Sequence, residues 1–224
     1  MQIPDPDRSS LEPDGDGPGA RSRDRACVQT VRGPVAASEL GLALPHEHLF
    51  SALPAALGAP HFDHTADLPG AAATAGRQWQ LRVDPYANGD NLGPKDFDDV
   101  RQEVELFAGL GGRTIVDVTG SAATGRDPGA LLRMSEVTGT HIVMATGSYI
   151  ERVERPTAAR AIEAAADAMV ADLTVGAAAG AGGARTGIRA GIIGEVGVSP
   201  DSRATSGSRC SRRLSRIAGI RRWP

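Results

Sequence analysis

From Asp96 onward the chain alternates between two periodicities, and that alternation leaves few folds open to it. Phe97, Val100, Val104 and Phe107 recur every three to four residues, which predicts an amphipathic helix from Phe97 to Leu110, stopped by Gly111-Gly112. Thr114-Ile115-Val116-Asp117-Val118 reads as a buried strand, because β-branched side chains suit a pleated, packed surface. Asp127-Pro128 opens a second helix, Asp as N-cap and Pro at the first position, running to about Val137. His141-Ile142-Val143-Met144-Ala145-Thr146 is the next strand, and Pro156 to about Val175 a long Ala-rich helix. A flexible Gly/Ala connector, Gly176 to Gly187, leads to a fourth strand, Ile188 to Ile193. Near-continuous apolar strands separated by helices imply a parallel sheet with the helices packed outside it. Such a sheet is either an open doubly wound layer or part of a (β/α)8 barrel.

Upstream, the apolar run Leu40-Gly41-Leu42-Ala43-Leu44 leads into Pro45-His46-Glu47-His48. In an extended strand His46 and His48 point one way and Glu47 the other, so the two imidazoles can share a metal. Polar residues recur at the C-terminal ends of the later strands: Asp117 and Thr119, then Thr146 and Tyr149, then Glu195. Glu195 lies ~150 residues beyond His46, a separation that a multi-strand fold closes. In barrels that end of the strands carries the active site, so the chemistry favours the barrel. His141 begins its strand and belongs to the opposite end. The fold class is therefore α/β, the N-terminal half of a (β/α)8 TIM barrel with about four strand–helix units. A short hairpin precedes it: Val28 to Val31, a Gly33-Pro34 turn, and Val35. Between Phe50 and Asp96 prolines break every period, and a stretch that long is functional or locally helical. Its His61 and His64 read as exposed loop histidines rather than ligands.

Composition removes several classes of function. A net charge of -3 gives no global pull toward nucleic acid or a membrane surface, and no run approaches the ~20 apolar residues of a span. Two cysteines, Cys27 and Cys210, make no disulfide framework, which fits a reducing cytoplasm. Lys95 is the only lysine, so chemistry that needs a lysine must use it. Residues 1–25 read as a disordered leader without the apolar core of a signal peptide. Residues 26–200 form the one domain, and 201–224 an Arg-rich tail with a single acid, Asp201, expected to be disordered or a frameshifted reading. Gly180-Ala181-Gly182-Gly183 follows a helix and precedes a strand, the reverse of a nucleotide-phosphate turn.

Taken in order, the motifs are collinear with a known family. Val28-Gln29-Thr30-Val31-Arg32-Gly33-Pro34-Val35, Leu44-Pro45-His46-Glu47-His48 and Arg113-Thr114-Ile115-Val116-Asp117-Val118-Thr119 come first. His141 to Tyr149 and Gly187-Ile188-Arg189-Ala190-Gly191-Ile192-Ile193-Gly194-Glu195-Val196-Gly197 follow. Together they resemble the phosphotriesterase family of the amidohydrolase superfamily, in its phosphotriesterase-related subgroup. The resemblance implies a binuclear, usually zinc, hydrolase of small-molecule lactones, carboxylic esters or phosphoesters, using a metal-bound hydroxide and often homodimeric. It assigns His46 and His48 to the more buried metal, Glu195 to the bridge between both, and Tyr149 to the substrate pocket. The histidines expected after the fifth and sixth strands and the catalytic aspartate after the eighth have no counterpart here, so no catalytic residue is assigned. The expectation is a truncated chain that aggregates or dimerises and hydrolyses little; the alternative is a non-catalytic remnant with weak metal binding.

Overall fold

The computed structural model of the chain describes residues 26–150, 153–154 and 159–197. The leader, the tail and Pro156 at the expected helix start lie outside them. The fold is an α/β half-barrel fronted by an antiparallel hairpin. Strands β1 (Cys27–Thr30) and β2 (Gly33–Ala36) pair with each other. Strands β3 (Leu42–Glu47), β4 (Gly112–Asp117), β5 (His141–Thr146) and β6 (Ile192–Ile193) form a parallel sheet in chain order. Helices α1 (Gln78–Val83), α2 (Phe97–Gly109), α3 (Pro128–Thr138) and α4 (Ala159–Thr174) complete it.

The helices begin and end where their capping chemistry dictates. The Asp96 carboxylate accepts from the Asp98 and Asp99 amides at the start of α2, at 2.8 and 3.2 Å. Asp127 caps α3 by accepting from Ala130 N–H at 2.9 Å, and Pro128 occupies the first turn, where its missing N–H costs nothing. The apolar stripe of α2 then packs Val104, Phe97, Val100 and Phe107 against a core centred on Ile115, Leu131, Met134, Ile142 and Met144. Those five side chains are at most 2 % exposed, and full burial of each contributes about 1.5–3 kcal/mol of transfer free energy.

Four local expectations change. The hairpin turns at Val31-Arg32, and Gly33-Pro34 opens β2 instead. Val31 is buried and its N–H donates to the Ile142 carbonyl at 2.9 Å, so the turn is tucked under β5. The fourth strand shrinks to two residues because the chain before it is engaged elsewhere: Ala190 N–H donates to Asp172 O of α4, and the Arg189 guanidinium to Gln29 Oε1. Gly191 passes so close to the hairpin that a Cβ there would fall on the Gln29 carbonyl oxygen. The Gly176 to Gly187 connector is tied down by an Ala178–Arg185 bridge and by Arg185 donating to Asp172 at 2.8 Å. Finally, β3 is not buried like its neighbours: Leu42 is 60 % exposed, since it lies at the sheet's edge.

The long segment after β3 is locally helical, as its length requires. Single turns at Pro54–Ala56, Asp63–Thr65, Ala75–Arg77 and Pro85–Ala87 accompany α1. The buried Asp84 carboxylate organises them, accepting from His61 N–H, His61 Nδ1 and Thr65 Oγ1 at 2.7, 2.9 and 2.9 Å. These bonds, the His61 amide first, hold the Asp84 carboxyl below its ordinary value.

Candidate metal centre

Strand β3 is interrupted just where its histidines begin. Pro45 has no N–H to give, and the ladder to β4 skips from Leu44 to Glu47 before resuming opposite Asp117. The break leaves His46 and His48 at the C-terminal end of the sheet with ring centroids 5.5 Å apart in an edge-on arrangement. Glu195 arrives from the far side of the sheet. Its path is fixed by Gly194 N–H donating to Thr146 O and Gly197 N–H to Ser148 O, each at 2.9 Å. Close packing of loop backbones brings it in: a Cβ on Gly147 would land on the Glu195 carbonyl oxygen, and the Gly147 amide donates to Gly120 O at 2.9 Å.

His46 Nε2 and Glu195 Oε2 end up 3.5 Å apart, and one ligand atom from each of His46, His48 and Glu195 lies within 4.8 Å of the others. Ligand bonds near 2.1 Å to a tetrahedral ion put neighbouring donor atoms about 3.4 Å apart. The first pair already has that spacing, and a nitrogen, nitrogen, oxygen donor set suits zinc and neighbouring divalent metals. The three residues therefore fit one divalent cation.

Around them the two inner strands supply orientation and a pocket. The carboxylate of Asp117, 1 % exposed, accepts from Leu49 N–H at 2.8 Å and Thr119 N–H at 3.0 Å. Burial pushes this carboxyl up, and the hydrogen bonds from Leu49 and Thr119 oppose it. Thr119 Oγ1 in turn lies 3.1 Å from His48 Nδ1. The adjoining cleft is lined by His48, Glu195 and Tyr149, by Ser51, Thr119, Ser121 and Thr124, and by Leu53 and Val118. The Tyr149 hydroxyl is pushed up by burial first and then by the Glu195 charge, so it is a protonated donor near neutrality.

Of the polar residues expected at the strand ends, the structure gathers His46, His48, Glu195, Tyr149 and Thr119 on one face. Thr146 turns away. Its hydroxyl donates to Asp172 at 2.8 Å, within a buried cluster where Asp172 also pairs with Arg126 and Arg185. His61 is held by Asp84, and His64 stacks on Phe62 and Trp79, so neither joins the centre. Sequence reasoning missed Ser51, Leu53, Ser121 and Thr124, which sit on loops without periodicity. It also missed Glu154, whose two carboxylate oxygens accept from Ser121 Oγ and Ser148 Oγ across the loops after β4 and β5. The one signal for Ser121 was the Ser-Ala-Ala-Thr run after Gly120, which forms a capping box.

Residues 26–212 match the phosphotriesterase family. The chain belongs to that family. It is 31% identical over 181 residues to the N-acetyltaurine hydrolase of Rattus norvegicus, covering 77% of this chain and 48% of that protein. A phosphotriesterase-related protein of Nematostella vectensis is 34% identical over 176 residues, with the same shares covered. Among solved structures, a resiniferatoxin-binding protein from Rhodobacter sphaeroides is similar at a TM-score of 0.72 and 35% identity, covering 86% of this chain and 53% of that one. The organophosphorus hydrolase of Deinococcus radiodurans follows the same path at a TM-score of 0.58 and 27% identity, covering 86% and 51%. The chain thus spans about half the length of the family members it matches.

Proposed function

We propose that the chain carries the first half of a divalent-metal hydrolase centre, with His46, His48 and Glu195 as the ligands and zinc as the metal. The observation that carries this is the 3.5 Å approach of His46 Nε2 to Glu195 Oε2, made by residues on opposite edges of the sheet. A bound divalent ion supplies Lewis acidity, polarising a carbonyl or phosphoryl oxygen and acidifying water. The chain's own residues do the rest. Glu195 offsets positive charge, in the bridging role that the family resemblance implies. Tyr149 offers a protonated hydroxyl to a substrate oxygen, and Leu53 and Val118 give the cleft apolar wall for the carbon skeleton of a small substrate. A lactone, carboxylic ester or phosphoester fits, and the N-acetyltaurine hydrolase relatives extend the range to N-acyl compounds. Among the described residues no helix is long and apolar enough to cross a membrane.

A second reading, a non-catalytic remnant that binds metal weakly, is favoured by one fact: among the described residues only three ligands converge, and exposed ones at that for the two histidines. Metal analysis beside a chromogenic ester assay decides. The proposal expects about one ion per chain, lost in the His46→Ala/His48→Ala variant, with slow turnover that falls in the same variant. Ion binding with no turnover favours the remnant, and no bound ion overturns the metal centre itself.

A further inference from the structure

Two loops wall the cleft beside the candidate centre, and a single side chain ties them together. Ser121, from the loop after β4, and Tyr149, from the loop after β5, both line it. At their bases the loops already touch: Gly147 N–H donates to Gly120 O at 2.9 Å, and a Cβ on Gly120 would lie 3.0 Å from the Gly147 backbone. One residue further along each loop, the Glu154 carboxylate joins them. Its Oε1 accepts from Ser121 Oγ, and its Oε2 from Ser148 Oγ at 2.8 Å. Glu154 is itself folded back onto the second loop, since the Val153 and Glu154 amides both donate to Ile150 O, at 2.9 and 3.0 Å.

We infer that Glu154 is a specificity-determining residue, a clamp that sets the width of the cleft between Ser121 and Tyr149 and so the size of the acyl group the site accepts. The inference rests on the hydrolase reading above. A serine hydroxyl carries one hydrogen. Ser121 and Ser148 both give theirs to Glu154, so neither is left to donate to a substrate on this side of the cleft. The Ser121 side chain also accepts the Thr124 amide in its capping box, which holds the first loop in the shape that meets the clamp. The wall is thereby drawn in and short of donors, which suits a short acyl group. Removing the carboxylate frees the outer parts of the loops to separate, and the added width admits a longer acyl chain. Glu154 does not itself line the cleft; it acts through Ser121 and Tyr149, as a positioning residue.

The test uses the full chain with zinc added, as wild type, Glu154→Ala, Glu154→Gln and Ser148→Ala, with p-nitrophenyl acetate and p-nitrophenyl hexanoate as probes. The ratio of kcat/KM for hexanoate over acetate should rise about tenfold in Glu154→Ala, a discrimination that a few methylenes of pocket space can carry. It should rise less in Ser148→Ala, which opens one jaw, and stay close to the wild type in Glu154→Gln, whose amide can still meet both hydroxyls. Amide hydrogen exchange in the metal-free chain gives a readout that needs no turnover. The amides of Arg126 and Gly197 donate to Ser121 O and Ser148 O, and that of Val31 donates to Ile142 O in the core. In Glu154→Ala the first two should exchange about tenfold faster, the worth of one hydrogen bond to a carboxylate, with Val31 unchanged. All three amides speeding together, or none, overturns the clamp, and Ser148→Ala gives the same reading if Glu154→Ala fails to fold. Faster local exchange with an unchanged ester ratio overturns the specificity role. Faster local exchange in a protein that hydrolyses neither ester, wild type included, overturns the hydrolase reading and leaves the clamp standing.

Discussion

The inner strands and the edge strands of the half-barrel divide the work. β4 and β5 are buried along nearly their whole length, and their Ile115, Ile142 and Met144 are at the heart of the core. β3 and β6 are largely exposed, yet they deliver all three candidate ligands. A flat sheet of four strands spaced about 4.8 Å apart would hold its edges about 14 Å from each other. The 3.5 Å between His46 and Glu195 exists because the sheet curls. The inner strands, which donate no ligand, thus determine whether the outer residues meet.

Substitutions on the two kinds of strand should separate these roles. Ile142→Ala, in a fully buried site, is expected to cost about 2–5 kcal/mol in chemical unfolding, whereas Leu42→Ala at the edge should stay within about 0.5 kcal/mol. Equal costs would break the division. Gly147→Ala tests the curl itself: with no room for a Cβ against the Glu195 carbonyl, it should cost about 1–3 kcal/mol and weaken metal binding as well. A loss of stability with unchanged zinc affinity would show that the edges find each other without that close approach. The smallest effect is expected at the base of β5. His141 is held below its ordinary value of 6.5, by burial first and then by the charges of Arg32 and Arg113. The folded chain therefore binds fewer protons than the unfolded one just below pH 6.5, so stability should fall as pH drops through that window. His141→Gln should flatten the profile, and an unchanged slope would assign it to other groups.

Much of this fold was legible in the sequence because the elements that define it obey local rules. Asp127-Pro128 and the apolar stripe of α2 announce their helices by chemistry confined to a few residues. The β-branched run at Thr114 and the apolar run at His141 announce strands in the same way. What the sequence hid depends on contacts between distant segments. Ile188 to Gly191 has the composition of a strand, but its backbone is claimed by Asp172 and by the hairpin, which no local pattern reveals. Thr146 sits at the predicted strand end, yet its hydroxyl faces Asp172 because a strand alternates faces and this one has a charged cluster behind it. The pairing of His46 with Glu195 followed from strand ends sharing one face. The lining of the cleft did not, because loop side chains carry no period to read.

His46 and Glu195 lie ~150 residues apart along the chain, and closing a flexible loop of that length costs on the order of 5 kcal/mol in lost chain entropy. Folding has already met that cost before an ion is encountered. The same three side chains in an unfolded chain would have to meet it from the binding free energy, which at about 1.4 kcal/mol per decade weakens capture by three to four powers of ten. On the proposed metal reading, the free cation concentration that fills the centre would also gauge how much of the chain is folded.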